Sequence, residues 1–122
     1  MRLKGTMTEQ EFRDTIIKSH VLLFESNQYT RLMQVLNNCF PEMKTAYFIK
    51  HIPEQGEDIY TLLVDIDTIV KVEISHCAND EILPVEISNV SKYKEGLSKV
   101  NQIYLNVAID LAKKDITSQS VT

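Results

Sequence analysis

The spacing of apolar residues changes twice along this chain, and that change constrains the fold more than any other feature. Apolar side chains recur at three- and four-residue steps through roughly the first 40 residues, alternate with polar ones between about 47 and 87, and return to helical spacing after about 91. Steps of three and four are typical of an amphipathic helix, and alternation is typical of a half-buried strand. The sequence therefore predicts an α+β fold.

Two helices are predicted before the strands. The spacing of Thr8 and Glu11 is typical of a capping box and predicts where the first helix begins. Ser26 is expected to cap the second helix, and Pro41 is expected to end it. The residues predicted to face the core are Phe12, Ile16, Ile17, Val21, Leu23 and Phe24, then Tyr29, Leu32, Met33, Leu36 and Phe40.

Four strands follow, at about residues 47–52, 58–65, 70–75 and 83–87. The turns between them are predicted at Pro53–Glu57, at Asp67 and Thr68, and at Asn79 and Asp80. Because these connections are short, the strands should pair antiparallel in chain order, as a meander. Pro84 cannot donate to a ladder, so it marks either an edge strand or the start of the fourth strand. The alternation predicts one covered face and one wetter face.

A long C-terminal helix is predicted from about Ser91 to Lys114, with Gly96 in its first turns. Its apolar residues lie on more than one face of the helix: Leu97, Val100, Ile103, Tyr104, Leu105, Val107, Ile109 and Leu111. Such a helix needs two partners. It should pack on the sheet and the N-terminal helices, or against a second copy in a homodimer. The whole chain, 1–122, is expected to form a single domain with frayed ends at 1–7 and 116–122.

Charge and composition narrow the possible functions. Lysine and arginine number 13 against 17 aspartates and glutamates, so the net charge is −4, which favours solubility and disfavours nucleic acid as a partner. The longest apolar run, Val21–Phe24, is too short to span a membrane, and no secretory signal is recognisable. A cytoplasmic protein is expected. Cys39 and Cys77 are expected to be reduced, buried thiols, and the alternative is a disulfide between them.

The sharpest candidates for chemistry are the strand carboxylates Asp65, Asp67, Glu73 and Glu86. A metal-dependent nuclease of the restriction-enzyme type uses strand carboxylates to hold Mg²⁺ and a following lysine to orient water. Here a serine stands where that lysine is required, and Lys71 precedes Glu73 instead of following it. The more economical interpretation places Lys71 and Glu73 on the wet face of a strand, and Asp65 and Asp67 in a turn.

Histidines and cysteines suggest no site of their own. A zinc site from His20, Cys39, His76 and Cys77 can be imagined, yet none of the short ligand spacings of structural zinc sites is present. A Cys-His nucleophilic pair lacks any feature that would activate the thiolate. No glycine-rich phosphate loop occurs either. The sequence therefore predicts no metal ligand, no cofactor and no catalytic residue.

Elimination leaves a non-enzymatic protein-binding module, such as an inhibitor, an immunity protein or a chaperone-like protein, as the first hypothesis. The residues predicted to bind the partner are Asp65, Asp67, Lys71, Glu73 and Glu86. Their carboxylates would meet a basic partner protein and speed its capture. The alternative hypothesis is a metal-dependent hydrolase or nuclease that uses the same carboxylates.

Overall fold

A computed structural model of the chain describes residues 6–75 and 85–120, with side chains for 9–75 and 85–118. The elements are, in order, α1 (Thr6–Glu25), a 3-10 turn (Asn27–Tyr29), α2 (Thr30–Cys39), β1 (Ala46–Glu54), β2 (Glu57–Val64), β3 (Thr68–Ser75), β4 (Val85–Asn89), α3 (Val90–Lys94) and α4 (Lys99–Ser120). The predicted α+β fold, with two N-terminal helices, four strands and a C-terminal helix, is confirmed. The predicted turn at Asn79 and Asp80 lies outside the described residues, as does Pro84.

The four strands form one antiparallel sheet in the order β1-β2-β3-β4, so the predicted meander is confirmed. β1 contains a bulge: Phe48 pairs with Leu62 and Lys50 pairs with Thr61, which leaves Ile49 as an extra residue. Because strand side chains alternate between faces, the bulge reverses the alternation for the rest of β1.

Both faces of the sheet carry a buried cluster, so the predicted contrast between a covered face and a wetter face holds only at the end of the second face that the helices leave open. Leucines of α2 pack on one face, in a cluster with Phe48, Leu62, Val64, Val70 and Val72. Ile16 of α1 and apolar residues of α4 pack on the other face, against Tyr47, Leu63 and Ile69. The uninterrupted apolar run Leu62–Val64 is the sequence signal for this, because a strand covered on both faces does not alternate.

Helix α4 packs on β1 and on α1, so the first predicted arrangement is confirmed for the sheet and for one of the two N-terminal helices. Helix α2 packs on the other face of the sheet. The Phe12 and Tyr104 rings meet edge to face with centroids 5.1 Å apart. Nη1 of Arg13 donates to Oδ2 of Asp110 at 3.0 Å, and this hydrogen bond holds the pKa of Asp110 below its ordinary value. A homodimer through the last helix remains a prediction.

The C-terminal helical region is broken, where one continuous helix from Ser91 was predicted. α3 ends at Lys94 and α4 begins at Lys99. Gly96 lies between them with φ +83°, a left-handed conformation that ends a helix and that glycine adopts without strain. α4 then continues to Ser120, past the predicted end at Lys114. At the other end of the chain, α1 begins at Thr6 instead of Thr8.

Helix α1 buries a narrower face than its apolar pattern predicts. Ile16 and Leu23 are buried, but Ile17, Val21 and Phe24 are 41, 42 and 44% exposed. Each residue of a helix is rotated by about 100° from the previous one, so these three side chains lie well to one side of the line that faces the core. No helix in the described parts of the chain has the length and apolarity that crossing a membrane requires.

Cys39 is exposed, which corrects the prediction of a buried thiol at this position. It is the last residue of α2, one turn beyond the buried Leu36. Cys77 lies outside the described residues.

Candidate functional site

The five residues predicted to bind a partner lie at two ends of the sheet. Asp65 and Asp67 belong to the turn between β2 and β3, whereas Lys71 and Glu73 lie in β3 and Glu86 lies in β4. Six residues separate Asp67 from Glu73, which corresponds to about 20 Å along a strand. The four carboxylates therefore do not converge on one site.

Asp65 has a structural role in its turn, as the turn interpretation predicted. Its Oδ1 accepts hydrogen bonds from the backbone N–H groups of Lys44 and Thr45 at 2.8 and 3.0 Å. Its own N–H donates to the carbonyl of Thr45 at 2.9 Å. The residue adopts φ 55°, in the left-handed region where aspartate is one of the better-tolerated side chains. Asp65 thus fastens the segment before β1 to the β2–β3 turn.

Three of the predicted residues, Lys71, Glu73 and Glu86, lie on a part of the sheet that we call the open sheet surface. It also contains Lys50, Ile52, Ile59 and the buried Thr61. Strand pairing aligns Lys50, Thr61, Lys71 and Glu86 in one row across all four strands, and Ile52, Ile59 and Glu73 in the next row. Lys71 lies directly opposite Glu86, and a pair of opposite charges in these positions stabilises the two strands. The surface therefore combines exposed apolar area at Ile52 with charges around it.

Strand β4 adds an edge to this surface. Within the described residues it pairs with β3 alone, so no described strand covers its outer edge. Ile87, on the opposite face from Glu86, is 58% exposed, the highest value among the large apolar residues described. Edge strands of this kind can accept another strand.

A polar cluster lies between α1, β1 and α4. The hydroxyl groups of Thr45 and Tyr47 both donate to Oδ2 of Asp115, Thr45 at 3.0 Å. Burial and the neighbouring Asp115 raise the pKa of Tyr47, so the phenol stays a neutral donor. Nδ1 of His20 lies 2.8 Å from the carbonyl of Ala46, which can only accept, so Nδ1 carries a proton. Nε2 of His20 then faces Asp115 Oδ2 at 3.9 Å.

This cluster borders an open hollow of about 320 Å³ that Phe24 and Lys44 also line. Its hydroxyl groups belong to buried residues and already donate to Asp115, so neither is placed as a nucleophile for a molecule in the hollow. The His20 imidazole is thus a hydrogen-bonded part of the fold. Sequence reasoning missed the role of Asp115, because no local pattern connects it with residues about 70 positions earlier.

A second histidine lies at the far end of the sheet. Nε2 of His51 is 2.7 Å from Oδ1 of Asp58, and the His51 ring stacks on Tyr60 with centroids 4.5 Å apart. Burial, then the nearby Asp58 and Tyr29, raise the pKa of Tyr60 to about 12. His20 and His51 thus each stack on a tyrosine and face an aspartate.

Among the described residues, no group of three or more histidine, cysteine, aspartate or glutamate side chains is placed to hold a metal ion. His76 and Cys77, which the imagined zinc site included, lie outside those residues. No protein family, no curated protein and no solved structure matches this chain.

Proposed function

We propose that this chain is a non-enzymatic protein-binding module that acts on another protein in the cytoplasm, as inhibitors, immunity proteins and chaperone-like proteins do. The observation that carries the proposal is the open sheet surface beside the uncovered edge of β4. On this surface the exposed Ile52 has charged neighbours, and Ile87 is exposed on the opposite face of the sheet at the β4 edge. Exposed apolar side chains with polar residues around them are typical of protein interfaces.

The edge of β4 supports a particular mode of binding. An extended segment of the partner can pair with β4 through main-chain hydrogen bonds, while the exposed Ile87 contacts its side chains. β4 has only five residues, Val85–Asn89, so the main-chain hydrogen bonds alone would be few. Contacts with the neighbouring sheet surface would have to supply the remaining affinity.

Charge supports a basic partner. Glu73 and Glu86 lie at the border of the surface, and the whole chain carries a net charge of −4. Lys50 and Lys71 balance these two carboxylates on the surface itself, so the attraction of a basic partner over a distance comes from the net charge of the whole chain. Of the residues originally predicted to bind, Lys71, Glu73 and Glu86 belong to this surface. Asp65 and Asp67 lie at the opposite end of the sheet.

Site-specific photo-crosslinking in the native host tests the proposal. A photoreactive amino acid at position 87 should crosslink to one partner protein, because Ile87 lies at the proposed interface. The matched control is the same amino acid at position 34, where the exposed Gln34 lies on α2. The proposal fails if position 87 yields no product, or if both positions yield the same set of products.

Once a partner is captured, association kinetics test the charges. The double variant Glu73→Gln/Glu86→Gln should associate several-fold more slowly at low salt and show a weaker salt dependence. Glu9→Gln/Glu11→Gln makes the same change in net charge at exposed positions of α1 and serves as the control. An association rate that falls equally in both double variants would show that net charge matters and that this surface does not.

A further inference from the structure

Four large apolar residues of α1 are exposed, and three of them lie in one row that we call the α1 stripe: Ile17, Val21 and Phe24. They are 41, 42 and 44% exposed. We propose that a second copy of this chain packs on the α1 stripe, with the two α1 helices antiparallel. This inference does not depend on the partner protein proposed above, and it uses α1 where the sequence suggested the last helix.

The spacing of the α1 stripe is that of a helix–helix contact. Steps of four and three residues, from Ile17 to Val21 and from Val21 to Phe24, keep side chains on one line of a helix. Three large apolar groups on consecutive turns make a contiguous patch, and such patches on soluble proteins mark interaction sites more often than scattered single residues do.

One antiparallel alignment lets the two stripes interdigitate. In this alignment the two-fold axis passes between Val21 and Leu22. A residue of one copy then lies beside the residue of the other copy whose number makes the two numbers add up to 43. Phe24 of one copy then lies at the level of residue 19 of the second copy, midway between Ile17 and Val21 of that copy. Symmetry repeats this contact. Each phenyl ring thus enters a gap between two apolar side chains, as knobs enter holes.

Charge complementarity selects the same alignment independently. Lys18 and Glu25 are both exposed and lie on the same side of the α1 stripe, on the side away from the core. Within the described part of the chain neither forms an ion pair. Their numbers also sum to 43, so Lys18 of each copy lies beside Glu25 of the other. A parallel pair would instead place lysine beside lysine and glutamate beside glutamate.

The size of the contact predicts its strength. A single pair of helices covers less than the roughly 800 Å² per partner that a standard stable interface buries. The dimer should therefore be weak and should form as the protein concentration rises. A residue with a charge at the centre of the contact should abolish it, because the two-fold axis brings the two copies of that residue together.

Analytical ultracentrifugation of the full chain over a wide concentration range tests the inference. The wild type should shift from monomer to dimer with concentration, and Val21→Glu should remain monomeric. Val100→Glu is the matched control, because Val100 on α4 is 45% exposed and lies outside the α1 stripe. The far-ultraviolet circular dichroism spectrum of each variant confirms folding. A monomeric wild type throughout, or a dimer lost in Val100→Glu and retained in Val21→Glu, would overturn the inference.

A charge exchange tests the orientation. Lys18→Glu and Glu25→Lys should each weaken self-association, because each places like charges side by side. An equimolar mixture of these two variants should restore the dimer, since every pair in the mixed dimer is again of opposite charge. Failure of the mixture to associate better than either variant alone would rule out the antiparallel alignment.

Discussion

The His20 imidazole stacks on the Tyr47 ring, with the ring centroids 4.2 Å apart and the ring planes inclined by 16°. His20 belongs to α1 and Tyr47 to β1, and both face Asp115 of α4. One carboxylate thus connects three elements that are distant in the sequence. The hydrogen bonds to it are charge-assisted, and hydrogen bonds of this kind are stronger than those between neutral groups.

Removing the Tyr47 hydroxyl should destabilise the protein. Tyr47→Phe deletes one donor to Asp115 and leaves Thr45 as the other, so the free energy of unfolding should fall by about 1–3 kcal/mol. Urea denaturation measures it. Tyr93→Phe is the control, because the Tyr93 hydroxyl makes no hydrogen bond within the described part of the chain and its loss should cost less. Equal losses in the two variants would show that the bond to Asp115 contributes little.

Replacing Asp65 should also destabilise the protein, although the residue lies in a turn. Asp65→Ala leaves two backbone N–H groups without their acceptor and puts alanine at a positive φ, which should cost about 1–3 kcal/mol. Asp65→Asn keeps a side-chain oxygen and should cost less. Asp67→Ala removes an exposed carboxylate from the same turn and serves as the control. Thermal unfolding should show the largest loss of stability for Asp65→Ala, a smaller loss for Asp65→Asn and the smallest for Asp67→Ala. An Asp67→Ala variant as unstable as Asp65→Ala would contradict this expectation.

A side chain at Gly96 should destabilise the protein only through the backbone conformation of this residue. A Cβ atom at this position would have no neighbour within 4 Å, so a clash is excluded and only the left-handed φ of +83° opposes a side chain. Gly96→Ala should lower the free energy of unfolding by about 1–2 kcal/mol, and Gly96→Asn by less, since asparagine tolerates this conformation. Denaturant unfolding compares the two variants. Equal stabilities of alanine and wild type would contradict the strain argument.

Stability should fall in strong alkali, in part because of Tyr60. Its pKa in the folded protein is raised to about 12, above the value near 10 in an unfolded chain. Between these values the unfolded chain loses the proton and the folded protein keeps it, so deprotonation favours unfolding as the pH rises. The wild type should lose stability between pH 10 and about 12 more steeply than Tyr60→Phe. Parallel curves over that range would show that Tyr60 does not contribute.

Local periodicity was sufficient to predict the elements and their order. The alternation of Val70, Val72 and Ile74 with polar residues identified β3, and short turns required the meander. The break at Gly96 was missed because apolar residues continue at helical spacing on both sides of it. The exposure of Ile17, Val21 and Phe24 was missed for a related reason, since periodicity shows that a face is apolar without showing what packs on it.

The candidate surfaces were predicted only in part. Lys71 and Glu73 were correctly placed on one face of a strand, because strand alternation is a local property. Their alignment with Lys50 and Glu86 depends on the register between strands, which residues along one strand do not specify. The contacts of Asp115 with Thr45 and Tyr47 were not predictable, because they join segments about 70 residues apart that only packing brings together.

The extra residue in β1 makes that strand tolerant of a change in its own length. Deleting Ile49 would leave Lys50 opposite Thr61 and His51 opposite Tyr60, because these partners already follow directly on the pairing of Phe48 with Leu62. The deletion would remove the Ile49 side chain from the cluster on which it packs, together with the local twist that a bulge adds. Two chains that differ by one residue at this point should therefore present the same hairpin surface beyond it.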